Sequence, residues 1–120
     1  MVFRGSESIN NWITDLDVIT SPFPYCSDCN VHEGFYEAEK SIIPEVIKEV
    51  KRLQEQFPSH NVVLTGHSLG AALATLSAID LVNGNVTRVR LFNFGSPRIG
   101  DEKFSGLKSI YFNFQIIHKI

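Results

Sequence analysis

The chain has 120 residues, a formal net charge of -2, 43% hydrophobic and 20% charged residues. This is ordinary globular composition, enough for one core but short for a complete two-sided α/β domain, which routinely needs ~200–250 residues. The near-neutral charge gives no electrostatic argument for nucleic acid, and no apolar run approaches the ~18–20 residues that cross a bilayer.

The chain opens on Val2-Phe3-Arg4-Gly5, which reads as a strand end and a turn. An opening in mid-strand points to further sequence upstream. No signal peptide is visible. The compartment is therefore open, with secretion and an endomembrane lumen both compatible. Residues 7–16 place Ile9, Trp12, Ile13 and Leu16 at i, i+3, i+4, i+7, one face of a short helix, with Ser6 or Ser8 as its cap. Residues 17–30 are rich in Pro, Ser, Thr and Asp and read as a loop, with a short strand around Val18-Ile19. Cys26 and Cys29 lie in it as C-x-x-C. His32 supplies a third metal-type ligand but no fourth is evident, and the loop lacks the helix start that a redox pair uses. Structural thiols or a local disulfide fit best, and no metal site is expected.

Residues 35–57 carry Ile42, Ile43, Val46, Ile47, Val50, Leu53 and Phe57 at helical spacing. Pro44 interrupts them and is tolerable if Ser41 starts a fresh first turn. Residues 61–65 predict a buried strand and 69–82 a helix rich in Ala and Leu, stopped by Asn83-Gly84-Asn85. Residues 86–94 predict a strand, 95–100 a turn, 101–107 a short helix and 109–117 a last strand. Alternating strands and helices predict parallel βαβ units, an α/β fold with a mostly parallel sheet flanked by helices.

Between strand and helix stands Gly66-His67-Ser68-Leu69-Gly70, a G-x-S-x-G in the context this motif requires. The turn is sharp, so the positions two before and two after the serine must be small. Ser68 Oγ is then held out above the sheet edge, and the Leu69 N–H at the helix start is placed to bind an oxyanion. A phosphate loop would need different glycine spacing. His67 adjoins the serine but points elsewhere from a tight turn, so it reads as a packing residue. Only His118 follows the serine; the acids after it are Asp80, Asp101 and Glu102. Asp80 reads as part of a solvated helix face, and Asp101 stands where a helix cap belongs. A Ser68–Asp101–His118 triad is thus formally open but disfavoured.

Four motifs in order resemble the class 3, fungal-type lipases of the α/β-hydrolase group. They are Val2-Phe3-Arg4-Gly5-Ser6 with Asn11-Trp12 and Asp15-Leu16, then Val31-His32-Glu33-Gly34-Phe35, then Gly66 to Ala72, then Phe94-Gly95-Ser96-Pro97-Arg98-Ile99-Gly100. The resemblance implies carboxylic ester hydrolysis, of triacylglycerol in particular, through an acyl-enzyme on Ser68. It implies oxyanion donors at Ser6 and Leu69, and a lid around Ile9, Trp12 and Ile13 that opens at a lipid surface; a plain core helix is the alternative for that stripe. It implies no cofactor and no metal. The family's catalytic aspartate and histidine match nothing here, His118 included, and its first strands are absent upstream. Residues 1–120 are thus expected to be an incomplete lipase-like domain. A truncated or pseudoenzyme form that binds lipid without catalysis is the alternative.

Overall fold

A computed structural model describes residues 1–5 and 19–111, with side chains through 109. The predicted helix and lid at 7–16, Ser6 and His118 lie outside the described residues. The elements are β1 (Val2–Phe3), β2 (Thr20–Pro22), β3 (Asn30–His32), α1 (Glu33–Gln56), β4 (Val62–His67), α2 (Leu69–Asn83), β5 (Val89–Phe94) and α3 (Glu102–Tyr111).

The main sheet has the order β1-β4-β5 and all its pairs are parallel. It is laid down by one βαβ unit, β4–α2–β5, with β1 added outside β4. Leu64 and Leu91 point to one face and are fully buried under α2. The opposite face carries Val2, Val63 and Phe94, all exposed.

Helix α2 is buried on nearly every side. Ala71, Ala72, Ala74, Leu76, Ala78, Ile79 and Leu81 are all fully buried. The cause is its position between the sheet and α1, where each face meets protein. The alanines let it approach closely; Leu76, Ile79 and Leu81 each contribute about 2 kcal/mol of burial. Helix α1, by contrast, covers one side only. Its inward stripe is Phe35, Glu39 and Val50, with Val46 and Ile47 half-buried.

The remaining strands form an antiparallel hairpin, β2–β3. The loop between them is closed by a Cys26–Cys29 disulfide. Strand β3 is tied to the chain after β5: the His32 N–H donates to the Ile99 carbonyl (2.7 Å) and the Asp101 N–H to the Asn30 carbonyl (3.0 Å). This hairpin takes the place of the loop expected at 17–30.

Other boundaries differ from the sequence reading. Helix α1 begins at Glu33 and runs unbroken through Pro44. Packing of Phe35 and Glu39 before the proline and of Val50 after it holds the helix together despite the lost N–H. Strand β5 starts three residues later than expected because Asn85 (φ 65°) and Arg88 (φ 59°) adopt the left-handed region, which an extended strand excludes. The strand expected from residue 109 begins inside α3, which nothing terminates at Leu107 and which continues to Tyr111.

Pro44→Ala should restore the N–H that bonds the Lys40 carbonyl and raise stability by about 1–2 kcal/mol. A urea midpoint that fell instead would mean that the helix depends on the proline.

Candidate active site

The site grows from the junction of β4 and α2. Strand β4 ends at His67 and α2 begins at Leu69, leaving Ser68 alone to turn the chain. Ser68 does so at φ 55°, ψ -119°, a region costly for any residue with a Cβ. Three contacts hold it there. Its N–H donates to the Phe94 carbonyl at 3.1 Å, and its own carbonyl accepts from Ala71 (3.0 Å) and Ala72 (3.3 Å). The Ser68 side chain makes no cap hydrogen bond, although it occupies the cap position. Its residue is 4% exposed. Leu69 opens the helix, so its N–H has no intrahelical acceptor.

Small residues make this turn sterically feasible. A Cβ on Gly66 would overlap the Gly70 carbonyl, and one on Gly70 would overlap the Phe3 carbonyl. The serine turn is therefore packed backbone to backbone, with the end of β1 directly against the start of α2. Because Phe3 pairs with Gly66, the chain after β1 is carried to the serine. A Cβ on Gly5 would stand 2.5 Å from the His67 carbonyl oxygen and 3.7 Å from Ser68 Cβ.

Under the turn lies a polar tie. The Asn93 amide donates to Thr75 Oγ1 at 2.6 Å, and Thr75 donates to the Ala71 carbonyl at 2.9 Å. Both side chains are buried. They join the first turns of α2 to β5, and their sequence gave no signal beyond two polar residues within apolar segments.

The described histidines are engaged elsewhere. The exposed His67 ring lies over Gly95, whose φ of 56° and lack of a Cβ give it room. His32 caps α1: its Nδ1 accepts the Phe35 N–H at 3.2 Å, and its ring stacks on Phe35 with centroids 4.0 Å apart. Burial holds its pKa below the usual imidazole range, which keeps the accepting nitrogen free of a proton. His60 packs edge-on to Phe57 beside α1's C-terminus. Asp101 caps α3 through the Phe104 N–H (2.9 Å) and accepts from the Asn30 N–H (3.0 Å). These bonds to backbone N–H groups hold its carboxyl below the usual range. Gly100 is packed against the Asn30 carbonyl and the Phe104 ring, which accounts for the last glycine of the segment from Phe94 to Gly100.

Asp80 differs from its expected place on a solvated face. Its carboxylate accepts the Tyr25 hydroxyl at 2.6 Å and stands beside Glu39. Glu39 occupies a core position on α1, is fully buried, and accepts the Ser77 hydroxyl at 3.4 Å. Burial, then the Asp80 carboxyl beside it, push Glu39 up to about 9. Burial and the bond to Asp80 likewise push the Tyr25 phenol well above its usual range. Sequence periodicity marks position 39 as apolar, and only the unlikely choice of Glu there hints at a partner. Among the described residues no group of three or more His, Cys, Asp or Glu is placed to hold a metal ion. No helix among them is long and apolar enough to cross a membrane.

This geometry meets known proteins at every level. The family described as lipase (class 3) matches residues 1–120. A secreted mono- and diacylglycerol lipase A from Penicillium cyclopium is 38% identical over 101 residues, covering 84% of this chain and 33% of that protein. The crystal structure of a mutant form of MDLA from Penicillium cyclopium superposes with a TM-score of 0.90 at 33% identity, over 98% of this chain and 43% of that one. A triacylglycerol lipase described as having a serine protease triad for its catalytic centre gives 0.87 at 34% identity, over 97% and 45%. The α/β-hydrolase-type fold is thereby established. The chain spans about a third of the length of the known relatives it matches.

Two substitutions probe this region. Gly70→Ala should drive β1 from the turn and cost about 3 kcal/mol, read as a lower denaturation midpoint; an unchanged midpoint would mean the backbones are not in contact. Glu39 has a folded pKa above its ordinary 4.5, so its contribution is complete below pH 4.5 and is lost as pH rises towards about 9. Glu39→Gln should remove that alkaline decline, and melting curves that fall equally in both proteins would refute the assignment.

Proposed function

The chain belongs to the class 3 lipase family, and from that premise we propose that the protein hydrolyses carboxylic esters of lipids, acylglycerols first among them. Ser68 is the nucleophile. Its Oγ attacks the ester carbonyl, the alcohol leaves, and water releases the fatty acid from the acyl-enzyme. The Leu69 N–H holds the oxyanion that forms at each attack. Ser6 supplies the second donor; the placement of Gly5 beside Ser68 supports this reading. Ile9, Trp12 and Ile13 form the lid that meets a lipid surface. Gly66 and Gly70 allow the turn, and His67 braces it against Gly95. The general base and its carboxylate are assigned to none of these 120 residues.

The observation that carries the proposal is the serine itself. It is held at positive φ between a strand and a helix, with its hydroxyl withheld from the capping bond that its position offers. The Penicillium cyclopium relative is named as secreted, and the Cys26–Cys29 disulfide suits an oxidising compartment, so we place the protein on the secretory route.

Ser68→Ala in the natural protein should lower hydrolysis of a short-chain glyceride by roughly 10⁴-fold or more. A fluorophosphonate probe should label Ser68 and nothing in the variant. Equal hydrolysis by the two proteins would end the proposal. Retention of fatty acid without labelling or turnover would select the non-catalytic reading.

A further inference from the structure

We infer that Asn85 is an N-glycosylation acceptor. Asn85-Val86-Thr87 is the one N-x-S/T triplet in the chain. The inference rests on the secretory route proposed above, because the modifying machinery is found there.

The folded geometry suits a sugar at this position. Asn85 and Thr87 are exposed, and Val86 between them is 4% exposed. The middle residue thus anchors the turn in the core while both recognition side chains face solvent. The turn is fixed by the Asn85 N–H to the Val82 carbonyl (3.1 Å), the Val86 N–H to the Leu81 carbonyl (3.0 Å) and the Gln54 amide to the Thr87 carbonyl (2.8 Å), none of which uses the Asn85 or Thr87 side chain. Among the described residues, no hydrogen bond engages the Asn85 side chain, so a glycan on its amide displaces nothing. Asn85 has φ 65°, a conformation that Asn tolerates better than most residues.

The placement also keeps a glycan clear of Ser68. Asn85–Thr87 precede β5 and lie at the N-terminal end of the parallel strands, where Val62 pairs with Val89. Ser68 follows the other end of β4. The strand's six residues separate the two ends by about 20 Å. A branched sugar therefore stands over the pole of the molecule opposite the serine.

The chemistry needs a lipid-linked oligosaccharide pyrophosphate as donor. Asn85 Nδ2 bonds to the anomeric carbon of the first sugar, the bond from that carbon to the phosphate oxygen breaks, and the lipid pyrophosphate leaves with its electron pair. The amide gives up one proton, and no oxidation state changes.

The test expresses the natural protein in a eukaryotic secretory host behind a cleavable leader. Treatment with peptide-N-glycosidase should produce a single downward mass step and leave Asp at position 85. Asn85→Gly, which keeps the left-handed turn, and Thr87→Ala, which keeps Asn85, should both migrate at the deglycosylated position without treatment. Ester hydrolysis should not change when the sugar is removed. Secreted protein with no mass step would overturn the inference, and so would a step that survives in both variants. A glycan in the host but none on protein from its own source would leave the acceptor assignment standing and overturn the secretory route instead. Loss of hydrolysis in Ser68→Ala is scored separately, so failure of the enzyme reading is not confused with failure of this one.

Discussion

The close contact among Phe3, Gly66 and Gly70 is the constraint from which the rest of the site follows. Two backbones meet without side chains between them, the Phe3 carbonyl against the Cα of Gly70 and the Gly70 carbonyl against the Cα of Gly66. This fixes how near α2 comes to the sheet. It thereby fixes the reversal that Ser68 must make, and it brings Gly5 to the same corner. The buried Asn93–Thr75 tie keeps the helix from sliding along the sheet once that approach is made. Positioning here is thus a matter of excluded volume first and hydrogen bonding second.

The second layer of the molecule works differently. Helix α1 rests on α2 through an apolar stripe broken by one buried carboxyl, Glu39, which meets Ser77 and Asp80 from the facing helix. Tyr25 joins them from the disulfide-closed loop. Three separate segments share one polar cluster, so the register of α1 on α2 and the position of the loop are set together. An apolar residue at 39 would pack against α2 with less directional demand.

What the sequence disclosed was the part written in backbone geometry. Gly66, Ser68 and Gly70 stand between a β-branched run and an alanine-rich one, and that local context carries the whole strand–turn–helix. Asp101 likewise reads as a cap from its place after Gly100. The hairpin β2–β3 was not legible. Each strand has three residues, Pro22 is among them, and the bonds that stabilise β3 come from Ile99 and Asp101, about seventy positions away. The pairing of Glu39 with Asp80 was hidden for the same reason: Glu39 stands at an apolar position of α1, but its partner lies about forty residues on, where Asp80 taken alone looks like part of a solvated helix face. Ser6, Ile9, Trp12 and Ile13 remain readings of the sequence.

The conformation of Ser68 has a further consequence for how the chain tolerates change. Holding a residue with a Cβ at φ 55° costs of order 1–3 kcal/mol, a sizeable share of a small domain's net stability. Glycine at the same position would relax that cost at once. Random substitution followed by selection for thermal robustness alone should therefore erode this position early, whereas selection that includes ester turnover should hold it. The contrast between those two histories is a signature of purpose that the fold carries in a single torsion angle.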